Sequence, residues 1–181
     1  MDTNDLDTYK ANLVWFNRFF QDIKQLLDKI ADQLSPGFSQ VGTSYYYPKF
    51  NYSPSIPPYL LMALGGENTA LQIYALLDIE IIGNKEYFLP EPSLVIIKHS
   101  DKDKGLYPDD YGLKVINSSM DFLEIEGGAI SGSIPGKDGV SFQAFQVPLG
   151  LFTSDQRAQD IIQERIVNVI HRLPDLSNEF P

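Results

Sequence analysis

Leu6, Tyr9, Leu13, Phe16, Phe20, Ile23, Leu27, Ile30 and Leu34 follow one another in alternating steps of three and four. Side chains at that spacing lie on one face of an α-helix, because the helix completes a turn every 3.6 residues. A helix over residues 5–34 is therefore predicted. Thr3, Asn4 or Asp5 can cap its start, and Ser35-Pro36-Gly37 stops it. Phe19 and Leu26 widen the stripe on one flank, while Arg18, Gln25 and Asp32 take the far side. A regular alternation of this length also suits a coiled-coil seam. The breadth of the stripe favours packing on a sheet, and a dimer seam is the competing expectation.

The rest of the chain reads mostly as strands. From Ala70 to Ile82 the period becomes two, with Leu71, Ile73, Ala75, Leu77, Ile79 and Ile81 on one face. Gln72, Tyr74, Asp78 and Glu80 alternate with them, which predicts a strand with one face buried and the other partly wet. Gly83-Asn84 suits a tight hairpin turn. The returning strand, Tyr87 to His99, is interrupted by Pro90 and Pro92, so Leu94 to Ile97 is its firm part. Further strands are expected at 111–116, 120–126, 129–134 and 140–149. In the last, Val140, Phe142 and Ala144 change parity to Phe145, Val147 and Leu149, which predicts a β-bulge near Ala144. A C-terminal helix is expected over 154–173, with Thr153 and Gln156 as a capping box and Pro174 as its stop.

The expectation is a single α+β domain over 1–181. An antiparallel sheet of five or six strands, spanning 70–150, is flanked by a long N-terminal helix and a C-terminal helix. Residues 174–181 are expected to form a loose tail.

Charge and composition narrow the function. The chain has 24 acidic and 14 basic residues, a formal net charge of -10, so phosphates would meet a repulsive field and no nucleic acid is expected. With no cysteine, thiolate metal sites, iron–sulfur clusters and cysteine nucleophiles are excluded. Met1 to Asp7 is acidic and lacks the basic and apolar regions of a signal peptide. The apolar runs fall far short of the roughly 20 residues of a membrane helix. A cytoplasmic location without a membrane partner is the expectation.

Few residues offer chemistry. Gly132-Ser133-Ile134-Pro135-Gly136-Lys137-Asp138 resembles a phosphate loop superficially, but its glycine spacing is short, Asp138 repels phosphate and a strand follows. Asp101-Lys102-Asp103-Lys104-Gly105 lacks the remaining oxygen donors of a calcium loop, and Gly112 stands where the closing Glu belongs. His171 falls in the last helical turn, where a basic ring complements the helix dipole. Asp78 and Glu80 share a strand face roughly 7 Å apart, a distance that suits acid–base work. With His99 they define an alternative pocket for a small ligand or a hydrolytic reaction.

The stronger concentration of unusual residues is the aromatic, proline-rich loop at 45–59. Tyr45, Tyr46, Tyr47, Phe50, Tyr52 and Tyr59 lie there among Pro48, Pro54, Pro57 and Pro58. Prolines disfavour a long strand or helix beyond Tyr45 to Tyr47, so the segment should run as an extended, partly polyproline-II loop held by its rings, either packed over the core edge or serving as a partner- or ligand-binding patch. The expected function is a non-catalytic, acidic protein-binding domain of chaperone-like, immunity-like or adaptor type. It would use this loop or an open sheet face to hold a protein partner. No catalytic residue, metal or cofactor is called for, and a homodimer through the N-terminal helix is a further expectation.

Overall fold

The computed structural model describes residues 3–44, 59–76, 92–101, 115, 129–134, 136, 138–173 and 176. Helix α1 runs Thr3–Leu34. It ends in the expected turn, where Gly37 N and Phe38 N both donate to Leu34 O at 3.0 Å and Ser35 Oγ donates to Asp32 O at 2.8 Å. Strands β1 (Ser39–Ser44), β2 (Tyr59–Gly65), β3 (Ala70–Leu76), β4 (Ser93–His99), β5 (Ile130–Ser133) and β6 (Ser141–Pro148) follow. Among the described residues they form a six-stranded sheet in the order β1-β2-β3-β4-β6-β5. Every neighbouring pair is antiparallel. A 3₁₀ turn at Leu149–Leu151 leads into the C-terminal helix α2 (residues 155–172). α2 consists of an α-helical start at Asp155–Ile161, a π-helical turn at Ile162–Val167 and an α-helical end at Asn168–Arg172. The fold is α+β: one antiparallel sheet with a long helix before it and a helix after it.

Two strands precede those expected. β2, Tyr-Leu-Leu-Met-Ala-Leu-Gly, has no polar residue to reveal a period. β1 is polar, contains a glycine and shifts register between Gln40 and Gly42. The β2–β3 turn is tight, with Gly66 N donating to Thr69 O at 2.8 Å. A Cβ at Gly66 would stand 2.9 Å from Thr69 O and 3.0 Å from the Phe38 ring, so the turn requires glycine.

The largest departure from expectation is that the central strands of the sheet are buried on both faces. β3 and β4 are buried at every position, including Gln72 and Tyr74, the face expected to be partly wet. Leu60, Met62, Leu64, Leu71, Ile73, Leu94, Ile96, Phe145 and Val147 pack under α1 and α2. Leu61, Tyr74, Leu76, Val95, Ile97, Phe142 and Ala144 form a second cluster with Val115 and Ile134. The parity change in β6 follows from this. Phe142 and Ala144 serve the second cluster, Phe145 and Val147 the first, and the β4–β6 register runs unbroken from Ser93↔Pro148 to His99↔Phe142. The expected bulge at Ala144 is therefore absent. Val115, expected in a strand, is helical; 120–126 lies outside the described residues.

α2 starts one residue later than expected. Ser154, rather than Thr153, caps it, accepting from Arg157 N at 3.4 Å. Ser154→Ala should lower stability by about 0.5–1 kcal/mol, read as a small drop in the thermal midpoint. In the π-turn, Asn168 N donates to Gln163 O, and Gln163 Nε2 donates to Asn168 Oδ1 at 2.9 Å across the same five-residue spacing. Beyond α2 the expected loose tail is held at Leu176, which is buried and accepts a hydrogen bond from Ser141 Oγ at 3.4 Å.

Candidate functional site

The strand register defines two ends of the sheet. Tyr59, Leu76, Ser93 and Pro148 line up across β2, β3, β4 and β6 at one end. Gly65, Ala70, His99 and Phe142 line up at the other. Leu34 is joined through 35–38 to Ser39, which pairs with Gly65. α1 therefore runs from the Tyr59 end towards the Gly65 end.

Its length does not match the sheet. The 32 residues of α1 extend about 48 Å at 1.5 Å per residue, whereas a seven-residue strand such as β3 spans about 23 Å. From Ile23 onward the stripe enters the core, with Leu26, Leu27, Ile30, Ala31 and Leu34 buried. That half of the stripe cannot form a seam with another molecule. Earlier in the helix, Thr8, Ala11, Val14, Trp15, Asn17 and Arg18 are exposed. Trp15, with 59% of its surface in solvent, and Val14, with 54%, are the exposed large apolar residues among those described. The Trp15 ring stacks on Phe19 at 5.4 Å between centroids with a 5° tilt, and Phe19 meets Phe20 edge-on at 6.1 Å.

Phe19 is also one wall of an open groove of about 360 Å³. Ile23 and Leu26 continue that wall, and Leu149, Phe152 and Ala158 line the side opposite. Asp22, Lys29, Thr153 and Ser154 give the groove a polar margin. Leu149 is placed by its N–H, which donates to Pro92 O at 2.9 Å beside the start of β4. The base of the aromatic segment belongs to the same end of the sheet, because Ser44 pairs with Leu61 and Tyr59 with Leu76.

Of the residues expected to bind a partner, Tyr59 is the first of β2. Tyr45, Tyr46, Tyr47, Phe50 and Tyr52 lie outside the described residues, as do Asp78 and Glu80. His99 belongs to the opposite end of the sheet, facing Ala70 across β3. Leu76, two residues before Asp78, is about 20 Å along β3 from that pair. The described residues thus do not bring His99 towards the strand end from which Asp78 and Glu80 follow.

The His99 end is closed. Ser100 N donates to Ser141 O and Ser141 N to Ser100 Oγ, each at 3.0 Å, which locks β4 to β6. The His99 side chain is fully buried on the face of the second cluster. Burial lowers its pKa from 6.5 to about 4, outweighing the upward pull of the Asp101 carboxylate and backbone. The ring is therefore neutral near pH 7. On the same face Tyr74 Oη donates to Gln72 Oε1 at 3.2 Å, so these polar groups are internal to the fold.

Trp15 and the groove were not singled out from the sequence. Trp15 lies off the main stripe, and its spacing of four from Phe19 was the available signal. The second groove wall, Leu149 to Ala158, meets α1 through tertiary packing alone.

No group of three metal-ligating side chains occurs among the described residues. No helix among them is long and apolar enough to cross a membrane. Compared with known proteins, the chain matches no family profile, no curated protein and no solved structure.

Proposed function

We propose that the chain is a non-catalytic, acidic protein-binding domain of the cytoplasm, chaperone-like, immunity-like or adaptor in type, which engages its partner through the aromatic segment 45–59. The observation that carries this reading is the β1–β2 pairing. With Ser44 opposite Leu61, both ends of the segment are held side by side at the outer edge of a rigid sheet. Long connections anchored on a firm scaffold are where recognition residues concentrate. The chain has no Lys or Arg between Lys49 and Lys85 apart from those two, so a partner with a basic surface fits best.

The open sheet face considered from the sequence is not an alternative in β3 and β4, which are buried on both sides. A small-ligand or hydrolytic pocket of Asp78, Glu80 and His99 would need the His99 ring to reach solvent, and that ring is buried. Replacing Tyr46, Tyr47 and Phe50 together by Ala should cut partner capture from cell extract at least tenfold. Circular dichroism and the thermal midpoint should stay unchanged. Undiminished capture by the folded triple variant would overturn the proposal.

A further inference from the structure

Trp15 and the groove form one continuous patch, because Phe19 stacks on the indole and also walls the recess. A knob beside a hole on one surface is self-complementary under two-fold rotation: each copy's knob meets the other's hole, and the contact closes at two. A large, exposed tryptophan is the residue type that anchors such contacts.

The charges select an orientation. Arg18, on the far side of α1 from the main stripe, stands one turn before Asp22 on the groove margin, and Arg18 and Asp22 are exposed. Place a second α1 antiparallel about an axis near residue 20. Trp15 then stands opposite the Ile23–Leu26 wall, Arg18 opposite Asp22, and Asp22 opposite Arg18. A parallel pairing would set Arg18 against Arg18 and Asp22 against Asp22. Repulsion between acidic copies is also least here, since α1 holds five acidic and four basic residues in a chain of net charge -10.

We propose that the chain forms a two-fold symmetric dimer in which α1 packs antiparallel on α1 of a second copy and Trp15 of each copy enters the groove of the other. The contact uses the flank of α1, since the second half of its main stripe is committed to the core. It is independent of the partner reading for segment 45–59, so either can fail alone.

The chain contains one tryptophan, so its fluorescence reports on this contact directly. With rising concentration, sedimentation should show the monomer mass doubling, and the emission maximum should move to shorter wavelength with the same midpoint. Trp15→Ala should weaken dimerisation at least tenfold without altering circular dichroism. Arg18→Asp and Asp22→Arg should each weaken it, and the two combined should restore it, a result that a general loss of fold cannot imitate. A monomer at every concentration overturns the proposal and assigns the groove to a different occupant. So does a dimer that survives Trp15→Ala, or a charge exchange no tighter than its single variants.

Discussion

Tyr74→Ala should lower the stability of the folded chain by about 3–5 kcal/mol, as for other large aromatic truncations in a protein core. Tyr74 is fully buried, between Leu61 on β2 and Val95 on β4, in the cluster on the side of the sheet away from α1 and α2. Truncation removes the ring from that cluster and takes the hydroxyl donor from Gln72 Oε1. The neighbouring Ile73→Ala, on the helix-covered face, should cost about 2–5 kcal/mol. The comparison is informative because the alternating pattern of β3 predicts a large cost at Ile73 and a small one at Tyr74. Urea unfolding with an unchanged slope gives both numbers on one scale. A loss below about 1 kcal/mol at Tyr74 is what an exposed sheet face would give, and would show that the second core is not formed. Tyr74→Phe keeps the ring and should cost about 1 kcal/mol, the worth of one hydrogen bond.

Acidification should destabilise the protein through His99 before most carboxylates titrate. Its folded-state pKa of about 4 lies below the 6.5 of an unperturbed histidine, with burial as the main cause. Above pH 6.5 the ring is neutral in both states, and its contribution to stability is fully present. As pH falls below 6.5 the unfolded chain takes up a proton that the folded chain refuses, so folding weakens until the pH reaches about 4. At about 1.4 kcal/mol per pKa unit the total is about 3 kcal/mol. His99→Leu removes the titrating ring, and the difference between its pH–stability curve and that of the unaltered chain isolates this residue. The stability of the unaltered chain should fall relative to that of His99→Leu as pH falls from 6.5 to 5. Parallel curves would mean that His99 is protonated equally in both states and that its end of the sheet is open to water.

Both predictions concern the face of the sheet where sequence reading and structure part. A period of two arises when one strand face meets a core and the other meets water. β3 retained enough alternation to be recognised from Ala70, yet Gln72 and Tyr74 occupy a second interior, where the Tyr74 hydroxyl bonds to Gln72 Oε1. In β6 both faces are apolar, so the pattern lost its parity and suggested a bulge that the register does not contain. β2 is apolar almost throughout and had no period to read. The candidate site was half legible in the same sense. The aromatic segment stood out by composition, whereas the groove needs Leu149 and Phe152 beside α1, residues more than a hundred positions away in the chain.

The two helices, the antiparallel α+β class and the bounds of α1 to within a few residues follow from local rules: side-chain spacing, caps and turn residues act over one or two turns. The absence of cysteine, and with it of thiolate chemistry, is likewise read from the sequence alone. That the α1 stripe from Ile23 to Leu34 lies in the core is a different kind of fact. It depends on a helix of about 48 Å lying on strands of about 23 Å, a mismatch that no window of sequence contains. The burial of His99 and Tyr74 and the meeting of Trp15 with a groove share that origin, because each depends on which distant segment lies on which face.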